Sequence, residues 1–390
     1  MGIPSYFYKI TNNFRNIISS SKIKHCDRLF LDFNGVIHSS YQNLKDNVDT
    51  QIGKDDFENL LLEKIVENMQ FVCNYVKPKH LVYICIDGVA PLPKIHQQRK
   101  RRYLSAWLKS KCKDSGYCWD SNAISPGTPF MSKLSKHLRS YIESCKCPYE
   151  LVLSDSSISG EGEHKIFNYI FHNKCEDKQY VDVIHGLDAD LIMLSLICSK
   201  SKKYLLREPQ HYGKLNENFA GNNPFLWLDI DSLRNQILNY YDDVIDIFSY
   251  VLLCVFVGND FLPQLSYLSI KNEGIDKVMS IYKSIFELYE QPLVYLDENK
   301  SFIINYEILI LLFDKLKDNE YLEMKKLHDS YYKKTMISKT TNFKYEFYGV
   351  FNKNNQNSDI FKNQNWRFFY YTRVFDMNPH TDTIINDASR

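Results

Sequence analysis

The stretch "RLFLD", Arg28 to Asp32, decides how this chain folds. It is short, continuously apolar at its centre and closed by a carboxylate, which is how a strand buried on both faces reads. Two further runs repeat the pattern: "LVYICID", Leu81 to Asp87, and "VDVIHGLD", Val181 to Asp188. Between the first two lies "FENLLLEKIVENMQFVCNYV", Phe57 to Val76, whose apolar residues recur at helical spacing. The order strand, helix, strand predicts an α/β fold with a mostly parallel sheet flanked by helices. Ligands of such sheets bind at the carboxyl ends of the strands, so the three closing aspartates converge on one crevice. A fourth apolar run, "VLLCVFVGND", ends at Asp260 and suits a helix or a strand.

A lone aspartate after a strand is more often a turn former than a ligand. Here three follow one another, joined by "DAD" (Asp188, Asp190) and by "SGEGEHK", which carries Glu161 and Glu163. The set Asp32, Asp87, Glu161, Glu163, Asp188, Asp190 and Asp260 would repel itself unless protons or cations neutralise it. No Cys or His stands at ligand spacing, and an all-oxygen set favours Mg²⁺, or Mn²⁺, over Zn²⁺. Two ions ~3.5–4 Å apart would suit hydrolysis of a phosphodiester. In this reading Gly160 and Gly162 let backbone approach the ions, a helix starts at about His164, and both glutamates lie in its leading turn or just before it.

After Asp87 comes "GVAPLPKIHQQRKRRYLSAWLKSK", with a helix expected from about Lys94. Lys94, Gln98, Arg101 and Arg102 fall at i, i+4, i+7 and i+8, on one face, and supply the charge and forked donors that hold a terminal phosphate. From Lys94 to Lys113 there are eight basic residues and no acidic one. The patch also admits a nuclear-localisation or merely solvated reading. His38, six residues past Asp32, is a structural histidine or, beside a metal site, a stacking partner for a base.

Composition sets the remaining bounds. With 390 residues, 44% hydrophobic, the chain fills one large domain or two ordinary ones. A net charge of +1 leaves nucleic-acid binding to local patches. No apolar run approaches the ~20 residues that cross a bilayer, and no signal-peptide core is seen at the N-terminus, so a soluble, cytoplasmic chain is expected, a nuclear one being the alternative. Met1-Gly2 is not read as a myristoylation signal, because Tyr6 stands where Ser or Thr is wanted. The ten cysteines are expected to be reduced, including the closely spaced Cys145 and Cys147.

Taken together, "MGIPSYF", "LFLDFNGVIH", "IDGVAPLPKIHQQRKRRY", "ISPGTPFM", "SGEGEHKIFNYI", "HGLDADLIMLSL" with "LLRE", and "FVGNDFLP" resemble the 5′→3′ exoribonuclease (XRN) family over most of the first 275 residues. The resemblance implies a PIN/flap-nuclease-like sheet and stepwise, processive hydrolysis of single-stranded RNA from a 5′-monophosphate to 5′-mononucleotides, in RNA decay. It implies that the seven carboxylates form a two-ion Mg²⁺ site that is also the catalytic one, that Lys94, Gln98, Arg101 and Arg102 bind the 5′-phosphate, and that His38 stacks on the terminal base. It also places Met1 to Pro4 beside the substrate path. No Walker-type loop is found, so no nucleotide cofactor is expected, and the lengths of the apolar runs give no membrane partner.

The domain organisation expected is a nuclease domain over 1–275, a helical extension over 276–340, and over 341–390 a linker with a partial match. There "WRFFYYTRVF" carries Trp366, a substitute for the family's missing stacking aromatic or simply a core residue. Rival functions are a flap-type DNA nuclease, which uses a similar carboxylate cluster, and a non-catalytic RNA-binding scaffold.

Overall fold

The computed structural model describes residues 5–47, 52–111, 119–173, 179–198, 201–209, 223–242, 244–261, 265, 267–270, 273–299 and 301–337. Met1 to Pro4, Lys113, the segment 341–390 and Trp366 lie outside them.

Five parallel strands form the centre of the sheet: β2 (Arg28–Asp32), β3 (Leu81–Cys85), β4 (Glu150–Ser154), β5 (Val181–His185) and β6 (Lys202–Arg207). β7 (Leu226–Asp229) and the two-residue β1 (Ile18–Ser19) continue it antiparallel, giving the order β1-β7-β6-β5-β2-β3-β4. The sheet is therefore mixed and mostly parallel, as the aspartate-closed runs predict. Two of those runs stop early, however: β3 ends at Cys85 and β5 at His185, so Asp87 and Asp188 stand in the segments beyond them. At Asp87 the backbone N–H turns from the ladder to the side chain of Asn34, and at Gly186 a Cβ would meet Leu191 Cδ1 at 2.4 Å, which fits a close turn into a helix.

Alternation along β2 divides the apolar side chains between two layers. Phe30 joins one cluster with α1 (Tyr6–Asn13), α6 (Gly162–His172), α7 (Ala189–Ile197), α8 (Ile230–Tyr240) and α9 (Ile247–Val257). Leu29 and Leu31 join the other with α2 (Phe33–Asn47), α3 (Lys54–Val76) and α5 (Pro129–Ser144). α3 packs through Phe57, Leu61, Leu62, Ile65, Met69, Val72 and Val76, and each such side chain contributes about 1.5–3 kcal/mol when fully buried. The run before Asp260 is the helix α9: Asp246 caps it, accepting from Phe248 and Ser249 N–H, each at 2.9 Å, and it is packed between α7, α8 and α10 (Gly274–Tyr289). α10 and α11 (Tyr306–Ile337) are the packed helices that the periodicity after residue 275 predicts, joined by the hairpin β8 (Val294–Leu296) and β9 (Phe302–Ile304). Among the described residues no helix is long and apolar enough to cross a membrane.

One expectation is overturned at the cysteines. Cys145 and Cys147 form a disulfide, whereas Cys26, Cys73, Cys85, Cys198 and Cys254 are free and buried. The chain reverses from the end of α5 into β4 at this point, bringing the two Cα atoms to 5.6 Å, within the span a disulfide bridges.

Candidate metal and phosphate site

Asp32 closes β2 at the middle of the sheet and is 7% exposed. Asp87 is fixed from two sides: Asn34 Nδ2 donates to its Oδ2 at 2.7 Å, and Gly162 N–H donates to its Oδ1, also at 2.7 Å. Gly162 belongs to the first turn of α6, where Glu161 is the N-cap residue and Glu163 follows. The helix thus begins at Gly162 instead of His164, and both glutamates stand at its start, where unpaired N–H groups and the helix dipole favour negative charge. The two glycines differ in their work. Gly160 has φ +102°, a conformation a side chain resists, and it pairs with the 88–89 segment through Gly88 N–H (2.8 Å) and Val89 C=O (3.0 Å). Gly162 leaves room for carboxylate, since a Cβ there would lie 2.7 Å from Asp32 Oδ1.

Asp32, Asp87 and Glu163 offer oxygens within 4.8 Å of one another, and Glu161, Glu163 and His164 form a second such group. His164 corrects the expectation that no histidine stands near the ligands: it is the next residue on α6, with Nδ1 3.9 Å from Glu161 Oε2. Burial pushes Asp32 and Glu163 far above the usual carboxylate range, and neighbouring carboxylates push further, Asp87 first for Asp32 and Asp32 first for Glu163. Burial also raises Asp87, with Glu161 and Asp188 adding to it against the Gly162 N–H. Glu161 is 2% exposed, yet among the described residues neither of its oxygens has a hydrogen-bond donor. A buried carboxylate in that state is costly unless a cation meets it. The oxygen-rich donor set fits a hard divalent cation.

Asp188 and Asp190 occupy the N-cap and first turn of α7. Arg207, at the end of β6, donates to the carbonyls of Leu187 and Asp188 and lies over the ring of Phe7, so it orients this segment from behind. Burial first, then Asp260 and Asp188, push Asp190 up to about 6. Asp260 follows the end of α9 and is held by α4 (Leu92–Lys111), receiving Lys94 Nζ at 2.6 Å on Oδ2 and Gln97 Nε2 at 2.9 Å on Oδ1. The seven carboxylates therefore adjoin one another around the ends of the central strands.

α4 begins at Leu92, two residues before the expected start. Along it Arg102 Nη2 donates to Gln98 Oε1 at 3.4 Å, and the charge of Arg101 depresses the Arg102 guanidinium after burial does. His38 keeps an exposed face, and desolvation followed by the charge of Arg101 lowers its pKa. Gln98, Arg101, Arg102 and His38 thus form a basic rim. Lys94 is turned inward instead: it is 5% exposed, and its Nζ also lies 3.2 Å from Glu161 Oε1, close enough for an ion pair but outside hydrogen-bonding directions.

Residue patterns alone do not single out Asn34, Gln97, His164 or Arg207. All four do lie inside the stretches that resemble the family, "LFLDFNGVIH", "IDGVAPLPKIHQQRKRRY", "SGEGEHKIFNYI" and "LLRE", which is the one signal that points to them.

The catalytic core of Rad2 in complex with DNA substrate aligns with a TM-score of 0.42 and 14% identity, covering 82% of this chain and 79% of that one; so distant a likeness carries no argument. The family models are specific. Residues 1–209 match the model described as XRN 5′-3′ exonuclease N-terminus, and residues 240–379 match the Xrn1 helical domain. The chain belongs to the XRN 5′-3′ exonuclease family. It is 30% identical to 5′-3′ exoribonuclease 2 of Kluyveromyces lactis over 82% of its length and 31% identical to 5′-3′ exoribonuclease 1 of Saccharomyces cerevisiae over 73%. It spans 39% of the length of the first relative and 20% of the second.

Proposed function

We propose that this chain is a metal-dependent 5′→3′ exoribonuclease that hydrolyses 5′-monophosphorylated, single-stranded RNA stepwise to 5′-mononucleotides, processively, in cytoplasmic RNA decay. The observation that carries the reading is the clustering of Asp32, Asp87, Glu161 and Glu163, with Glu161 oxygens that accept no hydrogen bond among the described residues, beside the basic face of α4. The names of the relatives support the substrate class.

In this reading Asp32, Asp87, Glu161, Glu163, Asp188, Asp190 and Asp260 hold two Mg²⁺ or Mn²⁺ ions, which when bound supply an activated water and charge relief on the leaving oxygen. The chain's own residues do the rest. Gln98, Arg101 and Arg102, with Lys94 at their inner edge, bind the 5′-phosphate, and His38 stacks on the first base. A pocket sized to one phosphate rejects a triphosphate or a cap by bulk. Each cleavage leaves a new 5′-monophosphate, so the pocket refills and the chain moves one nucleotide at a time. The division into a nuclease domain over 1–275, a helical extension over 276–340 and a linker over 341–390 belongs to the same proposal, as does a stacking role for Trp366.

RNAs that differ only at the 5′ end test it. With Mg²⁺, the 5′-monophosphate substrate is expected to fall to mononucleotides while the 5′-hydroxyl substrate persists, and Asp188→Ala to abolish the reaction. Equal degradation of both ends would remove the phosphate assignment. Internal cutting of a DNA flap with RNA spared would favour the flap-nuclease alternative.

A further inference from the structure

Lys94 belongs to two sites at once. By its spacing on α4 it is the first member of the face that includes Gln98, Arg101 and Arg102. By its contacts it is the counter-ion of two carboxylates, with Nζ 2.6 Å from Asp260 Oδ2 and 3.2 Å from Glu161 Oε1. Gln97, one turn along, takes the other oxygen of Asp260 at 2.9 Å, so α4 grips the acidic cluster through neighbouring side chains. The ring of Phe261 lies 5.5 Å from Nζ and adds to its hold on the ammonium.

One ammonium cannot serve both tasks together. Held between Asp260 and Glu161, it is 5% exposed and its charge is already spent on the carboxylates. Glu161 is one of the carboxylates grouped tightly enough to hold a cation, Asp260 belongs to the proposed metal site, and among the described residues Glu161 has no hydrogen-bond donor to take over. A lysine suits an exchange of this kind, being a compact charge on a flexible four-carbon stem, where a guanidinium would be held by its fork.

We infer that Lys94 is an internal counter-ion that yields Asp260 and Glu161 to a divalent cation and is thereby freed for the 5′-phosphate, so that metal and 5′-phosphate binding are positively coupled. The inference rests on the proposed metal and phosphate sites and adds an order: without the cation the phosphate pocket lacks its lysine. Linkage makes the effect reciprocal, each ligand tightening the other by the same factor, and a factor of about ten falls within the usual range of such couplings. Gln97 is a positioning residue here, keeping Asp260 in place when Lys94 leaves.

Two measurements on the full chain test it. The first is binding of a non-cleavable phosphorothioate RNA by fluorescence anisotropy, with and without Ca²⁺. Ca²⁺ is expected to tighten a 5′-phosphorylated strand about tenfold more than its 5′-hydroxyl twin, and this extra gain should vanish in Lys94→Met. The second is calorimetric titration of Mn²⁺ without RNA. Lys94→Met is expected to bind the ion about tenfold more tightly than the wild type, and Lys100→Met, at an exposed position of the same helix, to bind it as the wild type does. Equal Ca²⁺ enhancement for both 5′ ends, or no tightening of Mn²⁺ in a Lys94→Met protein with native circular dichroism, overturns the coupling. Binding of no cation by any of these proteins removes the metal site itself, a distinct outcome that takes the coupling with it. The wild-type RNA measurement stands even if the variant fails to fold.

Discussion

Asn34 shows how much a site of charged residues depends on neutral ones. Its side chain donates to Asp87 Oδ2 and accepts from the Asp87 backbone N–H at 3.2 Å, fixing a carboxylate that stands beyond the end of its strand. Such supporting contacts typically change metal affinity or activity by 10–100-fold. Asn34→Ala is therefore expected to weaken Mn²⁺ binding and RNA hydrolysis by about one to two orders of magnitude without unfolding the chain. Calorimetry beside a thermal melt checks both halves. His185 carries a different prediction. Burial, then the charge of Arg207, lowers its pKa to about 4; it is 4% exposed, and among the described residues its Nδ1 has no partner. An unfolded histidine takes up its proton near 6.5, so between about 6.5 and 4 the unfolded state binds more protons and stability rises with pH. The contribution is complete above about pH 6.5 and is lost as pH falls toward 4, about 3 kcal/mol in all. Urea unfolding at pH 7.5 and 4.5 should show this loss in the wild type and not in His185→Leu; parallel curves would refute it.

Among elements, a buried ion pair ties β2 to β5 at the end of the sheet away from the carboxylates. Arg28 on β2 makes two 2.7 Å bonds to Asp182 on β5, and Ser201, beside β6, adds another to the same carboxylate at 2.5 Å. Asp182 is fully buried, so removing its partner leaves an uncompensated charge. Arg28→Met is expected to cost about 3–5 kcal/mol in urea unfolding, and the double replacement Arg28→Met with Asp182→Leu to regain most of it. A single variant as stable as the wild type would show that the pair does not stabilise the sheet. At this scale much was legible in the residues. A short run apolar at its centre and closed by Asp reads as a buried strand, and "GEGEHK" before an amphipathic stretch reads as a helix start, so β2 falls where expected and α6 begins two residues earlier. The run before Asp260 stayed open because an element packed on several sides has no periodic face; the packing of α7, α8 and α10 decided for a helix. The Cys145–Cys147 pairing was not legible, because it follows from the way α5 turns into β4.

For the whole molecule, the helices after residue 275 share one core with the sheet. Val278, Met279, Tyr282 and Ile285 of α10 and Leu312 and Leu316 of α11 sit in the same cluster as Ile166, Leu191, Leu233 and Leu253. Tyr282 adds polar ties, accepting from Leu293 N–H at 2.9 Å and reaching Ser249 Oγ at 3.4 Å. At about 1.5–3 kcal/mol each, the four α10 side chains together approach the 5–15 kcal/mol that stabilises a typical domain. A fragment ending at residue 275 is thus expected to lose its cooperative thermal transition or to aggregate, and a soluble fragment melting like the full chain would show that the extension folds apart. By itself the sequence determined three of the strands, their parallel order and the spacing of acidic and basic residues along the chain, because these follow from local periodicity and charge spacing. Only the tertiary structure decided that Lys94 turns in to Asp260 and Glu161 and that Asn34 and Gln97 hold Asp87 and Asp260. Those partners lie up to 166 positions apart in the chain. Their meeting depends on how separate helices pack across the sheet, which no local pattern encodes.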